Sequence, residues 1–299
     1  MNYVIVLLIV LISACSKEET ENQTAVVGAA EIIAVNYPLY YFTTELAVDL
    51  ATITLLVPGG VDPAEWTPNV DEILRLQQAD LVILNGAGYS RWLNHVSLTE
   101  SKLIDTTATV SSELIPLDQQ TTHSHGPQAV HSHGGYASTT WMDLALAQSQ
   151  VQSIARALAE TWPGHADVIN QRKTLLLNKL NELDKSYKRQ VEQLTGRTVF
   201  YSHPVYQYFE RRYQLPGFSL HWEPDEQPSE KQWGELERQV ANKSDVLLIW
   251  EDSPLETTLQ RLNRMKIQTV VITPAAAKSG NTWYEEQLRN IDKLNACCS

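Results

Sequence analysis

The chain has 299 residues, 43% of them apolar and 19% charged, enough for roughly two domains with cores of their own, and this composition excludes a disordered or fibrous class. Its 35 acidic residues against 23 basic ones leave a formal charge of −12. That sign disfavours nucleic acid and anionic lipid as principal partners and fits the attraction of cations.

At the N-terminus, the apolar run from Val4 to Ile12 is too short to span a bilayer permanently and reads as the hydrophobic part of a signal peptide. Ile12-Ser13-Ala14-Cys15 resembles a lipobox. Residues 1–14 are therefore expected to be a leader, Cys15 the lipidated first residue of the mature chain, and the polar stretch 15–28 a tether to the membrane. The usual basic residues before the apolar run are missing, since Lys17 is the first cation. The other cysteines, Cys297 and Cys298, are adjacent, a spacing that strains badly if bridged; a solvated tail without a disulfide is expected.

From Ile32 onward, apolar strand-like runs alternate with helical ones. "EIIAV" passes through Pro38 into a helix, "ATITLLVPGG" is β-branched and stops at Gly59-Gly60, "NVDEILRLQQ" is helical, and "ADLVILNG" is apolar throughout. Strands apolar along their whole length predict a parallel sheet covered on both faces.

Residues 121–135 then hold His123, His125, His131 and His133, half of the eight histidines in the chain. Two His-x-His pairs set among Gly126, Pro127, Gly134 and Gly135 can wrap an ion, and neutral imidazole suits zinc, copper and nickel. The alternative is a polar, titratable loop. With imidazole donors, zinc bound at neutral pH is expected to be largely released near pH 5.

A helical stretch begins near Met142 and breaks at Pro163-Gly164. Its second part shows apolar residues at steps of three, four and seven from Ile169 to Leu194, and Gly196 ends it. That predicts a helix over 166–195, about 43 Å long. The strand and helix alternation then resumes through "RTVFYSH", "FSLHWE", "DVLLIWE" and "TVVITP". The expected architecture is α/β with two lobes, 29–165 and 196–299, each a mainly parallel sheet flanked by helices, joined by one long rigid helix.

"ADLVILNGAGYSRWL", "FYSHPVYQYFERRYQL" and "EQPSEKQWGEL", in that order and spacing, resemble segments of the solute-binding proteins of zinc and manganese ABC importers, and the histidine-rich insert stands where zinc receptors of that family often carry theirs. The resemblance covers nearly the whole mature chain. It implies a monomeric, lipid-anchored receptor at the periplasmic face of a membrane, an ABC permease as partner, Zn2+ or another divalent transition metal as cargo, and no enzymatic reaction. Family ligands come from four places. At three of these this chain has Ala64, Thr139 and Thr273, and only His203 remains. Alanine cannot ligate, and a threonine hydroxyl is a poor zinc donor.

Zinc needs about four donors. In "GFSLHWEP", strand alternation groups His221 with Glu223 opposite Phe218, Leu220 and Trp222. Glu251 follows "DVLLIW" at a strand's C-terminal end, where open α/β sheets place ligands. A rearranged site of His203, His221, Glu223 and either Glu65 or Glu251 is one expectation; a solvated edge or a hydrogen-bonded structural pair at His221 and Glu223 is the other. A divergent cleft for an organic ligand, a metal complex or a protein partner also stands open, with Tyr37, Tyr40, Tyr41, Trp66 and Trp141 as its candidate lining.

Overall fold

The computed structural model describes residues 30–117, 122–124, 130–132 and 135–298. Cys15, His125 and His133 lie outside the described residues. Of the strands carrying His123 and His131, only the backbone is described. Among the described residues no helix is long and apolar enough to cross a membrane.

The first lobe is built on strands β1 (Glu31–Ala34), β2 (Thr52–Leu55), β3 (Leu81–Leu84) and β4 (Leu103–Asp105), all parallel in the order β2-β1-β3-β4. The two central strands are buried nearly throughout, as their unbroken apolar sequences require of a sheet covered on both faces. Helix α1 (Tyr37–Ala47) starts where Asn36 accepts a hydrogen bond from the Leu39 N–H at 3.1 Å and Pro38 occupies the first turn. Helix α2 (Val70–Gln78) starts with a reciprocal cap between Asn69 and Glu72. The short β4 escaped the sequence reading because three residues carry no period.

Two antiparallel pairs follow, β5 (Pro116–Leu117) with β8 (Gly135–Tyr136) and, between them, β6 (Thr122–Ser124) with β7 (Val130–Ser132). The second pair sets His123 opposite His131 in register.

Helices α3 (Leu144–Thr161) and α4 (Ala166–Glu192) pack against each other. The 27 residues of α4 make it about 40 Å long, with Ile169, Leu176, Leu180, Leu183, Tyr187 and Val191 along its buried stripe. The second lobe repeats the plan with β9 (Thr198–Tyr201), α5 (Gln207–Tyr213), β10 (Gly217–Ser219), α6 (Glu230–Val240), β11 (Val246–Trp250), α7 (Glu256–Arg264), β12 (Gln268–Val271) and α8 (Trp283–Cys298). Its sheet is parallel in the order β10-β9-β11-β12.

One apolar core runs through both lobes, from Ile32 and Val82 through Leu180 and Tyr201 to Ile249 and Trp283. A smaller cluster around Trp222, Trp233 and Trp250 fills the outer side of the second sheet. Helix α8 lies against β12, α4 and α1. Its Trp283 ring sits 5.0 Å from Phe42 and 5.8 Å from Tyr41. The chain's last helix therefore packs across the seam rather than within one lobe. Half-buried Cys297 near its end lies 3.6 Å from an Arg197 nitrogen, which corrects the expectation of a solvated tail there.

The seam is also tied by polar contacts. Asp143, at the start of α3, and Asp184 of α4 share Arg212 of α5: Asp184 accepts from Nε and from a terminal nitrogen at 3.0 and 2.6 Å, and Asp143 lies 3.6 Å away. Burial alone would raise the Asp184 carboxyl, but Arg212 and Lys188 outweigh it and hold it below its usual range. Trp141 donates to the Pro274 carbonyl at 2.8 Å, and Tyr208 to that of Ala137 at 2.9 Å.

Candidate metal centre

A cleft of about 660 Å³ opens between the lobes at the C-terminal ends of the second sheet's strands. His203 follows β9, Glu223 follows β10 and Glu251 follows β11, three strands that neighbour one another in the order β10-β9-β11. Buried Ser202 holds the three segments together: its N–H donates to the Ile249 carbonyl at 2.8 Å, its carbonyl accepts from Trp222 N–H at 2.7 Å, and its hydroxyl accepts from Glu251 N–H at 3.4 Å. The Nδ1 atom of His203 lies 3.3 Å from a Glu223 oxygen and 3.9 Å from a Glu251 oxygen. One donor atom from each residue falls within 4.8 Å of the others. Two donors bound tetrahedrally to zinc at about 2.1 Å stand about 3.4 Å apart, so this spacing fits a shared ion with small adjustment.

The electrostatics favour a cation. Burial, then the charges of Glu223, Asp62 and Asp252, push the Glu251 carboxyl up to about 8. A Glu251 carboxyl raised in this way keeps its proton until a positive ion replaces it.

The remaining residues singled out in the sequence fall into clear places. His221 is exposed, with its ring centroid 6.1 Å from that of His203. Strand β10 ends at Ser219, and His221 takes a left-handed backbone with φ of 56°; strand alternation therefore does not reach His221 and Glu223, and the sheet's strand ends, not a shared strand face, bring Glu223 to His203. Glu65 lines the cleft but faces Arg91 at 3.9 Å and stands outside the group of three. Ala64 and Thr139 also line the cleft, and the Thr139 hydroxyl is spent donating to the Val205 carbonyl at 2.6 Å. Thr273 is occupied in structure, its hydroxyl accepting from Ala275 N–H at 3.1 Å and its backbone holding Asn290.

Tyr37, Tyr41, Trp66 and Trp141 are buried in the core, and neither they nor Tyr40 line the cleft. The expectation of an aromatic-lined cleft for an organic molecule is corrected accordingly, core packing being what these rings do. Asp62, which the sequence reading passed over, does line the cleft. The signal in the sequence is its place two residues before Ala64, in the turn that ends at Trp66.

A family model described as the zinc-uptake complex component A, periplasmic, matches residues 32–297. The zinc-binding lipoprotein AdcA of Streptococcus pneumoniae is 23% identical over 293 residues, covering 94% of this chain and 57% of the relative; the chain thus spans little more than half of that relative's length. The high-affinity zinc uptake system protein ZnuA of Bacillus subtilis is 24% identical over 254 residues, 83% of this chain and 79% of the relative. Among solved structures, the metal-dependent lipoprotein YcdH of Bacillus subtilis superposes with a TM-score of 0.76 at 18% identity, over 89% of this chain and 98% of the other. FpvC of Pseudomonas aeruginosa, solved with Mn2+, gives 0.71 at 20% identity over 90% and 98%. These likenesses bear out the two-lobed fold, and the match across both lobes and the helix between them means that the chain belongs to the family of periplasmic zinc-uptake components A, ZnuA.

Proposed function

We propose that this chain is the extracytoplasmic receptor of an ABC importer, that it binds zinc in the cleft between its lobes and hands the ion to a permease without chemical reaction, and that a lipid on Cys15 holds it at the membrane. The observation that carries the reading is the convergence of His203, Glu223 and Glu251 within 4.8 Å at adjacent strand ends. One imidazole and two carboxylates are a zinc-competent donor set. Family membership supports the transport role, and the zinc-binding and zinc-uptake relatives support the choice of metal.

The histidine-rich segment 121–135 captures or buffers ions ahead of the cleft. Four imidazoles suit zinc, though ordering a loop around an ion costs entropy that a preformed cleft avoids. Titration calorimetry separates the two. Wild type is expected to bind zinc at neutral pH and to lose most of it near pH 5; His203→Ala removes the cleft's uptake, and deletion of 121–135 removes the loop's. Retention of all zinc by both variants, or undiminished uptake at pH 5, would reject histidine ligation.

A further inference from the structure

His203, Glu223 and Glu251 all belong to the second lobe, yet His203 stands in a short turn that the first lobe holds. After His203 and Pro204, the Val205 N–H donates to the His203 carbonyl at 2.9 Å and closes the turn. The Val205 carbonyl accepts from the Thr139 hydroxyl at 2.6 Å, both residues lining the cleft. One short hydrogen bond therefore runs from the first lobe to the backbone two residues beyond the imidazole.

Thr139 is itself held fast. It is buried, and its carbonyl accepts from Met142 N–H at 3.0 Å. The Ser138 carbonyl beside it accepts from the Asn85 side chain at 2.8 Å, and the Ala137 carbonyl from the Tyr208 hydroxyl at 2.9 Å. Asn85 is in turn fully buried, and its side-chain oxygen accepts from Thr140 and Gln150, each at 3.2 Å. On the sheet side, the Ser202 N–H ties the same segment to Ile249 of β11 at 2.8 Å. His203 thus stands between two anchors, one from each lobe.

We infer that Thr139 is a positioning residue for the metal centre: the first lobe acts on the ion by holding the His203 turn at Val205, not by giving this oxygen to the metal. The inference rests on the metal-receptor reading. A hydroxyl has one proton to donate, and here it goes to the backbone that carries the imidazole. Partners that orient a ligand without touching the ion raise metal affinity, because less ordering remains to be done when the ion arrives. At this position the first lobe thus stiffens a ligand where the resembling family would supply one.

The test measures zinc affinity of the full chain by competition with a chromogenic chelator, in wild type, Thr139→Val and Thr139→Ser, each also in a His203→Ala background. Valine keeps the shape of threonine without the donor, and serine keeps the donor. The segment 121–135 is common to all six chains, so its own uptake cancels in the comparison. Thr139→Val is expected to weaken the tightest site by about tenfold, the lower end of the range for a group that orients a ligand, and Thr139→Ser to keep the affinity of wild type. In the His203→Ala background neither substitution should change zinc binding further, since the cycle isolates what passes through the imidazole. Melting curves in excess chelator are read alongside, because a general loss of stability would lower zinc binding with and without the imidazole alike. Thr139→Val binding zinc as wild type does, Thr139→Ser binding it no better than Thr139→Val, or an equal loss without the imidazole would each overturn the inference while leaving the receptor reading intact; wild type taking up no zinc would overturn both.

Discussion

Glu251 couples the cleft to pH. Its carboxyl titrates at about 8 in the folded, metal-free protein, raised by burial and by Glu223, Asp62 and Asp252, against about 4.3 for an unfolded glutamate. The folded state therefore holds a proton that the unfolded state has released, and stability from this group is complete below the unfolded value and lost as pH rises through about 8. Melting curves in chelator should show Glu251→Gln gaining on wild type from about pH 5 upward and levelling off above pH 8, with zinc closing the gap. A constant difference across that range would show that the carboxyl is not held up. His203 and Glu251 were legible in the sequence, one as a histidine and the other as an acid directly after an apolar strand. That Asp62 lines the cleft was not, because an exposed acid in a turn declares its place only once the fold brings the facing lobe opposite it.

The elements differ in how openly their sequences state them. Strands β3 and β11 are apolar at every position and could only be buried on both faces; the stripe of α4 specifies a helix of the observed length. Strand β10 is the contrary case. Alternation continues through Leu220 to Glu223, yet the chain leaves the sheet at Ser219 through a left-handed His221, a backbone state that no glycine advertises. Between helices, the shared Arg212 sets how α3, α4 and α5 meet. Asp184→Ala would leave the half-buried Arg212 guanidinium to the more distant Asp143 carboxylate and is expected to cost about 3 kcal/mol, read from the denaturant midpoint. A loss below about 1 kcal/mol would mean that solvent already screens the pair.

Across the whole molecule, the surprise is the last helix. Its apolar face was visible, but which lobe it would meet was not, since a helix stripe specifies that something covers it and leaves open what. Trp283 answers by lodging beside Tyr41 and Phe42 at the base of the first lobe. Trp283→Ala is expected to cost about 3–5 kcal/mol. A scanning calorimeter should record the loss as a downward shift of the whole endotherm; a shift confined to a new, separate second-lobe peak would count against a shared interior.

That shared interior bears on how cargo leaves. Two halves welded by one continuous apolar filling, with the final helix acting as a clasp beneath them, have little freedom to swing apart like a clam. Unloading would then fall to the rim of the cleft, by small displacements of the turns that carry its ligands. A docked permease would need to pry at that lip and could leave the body of the receptor still.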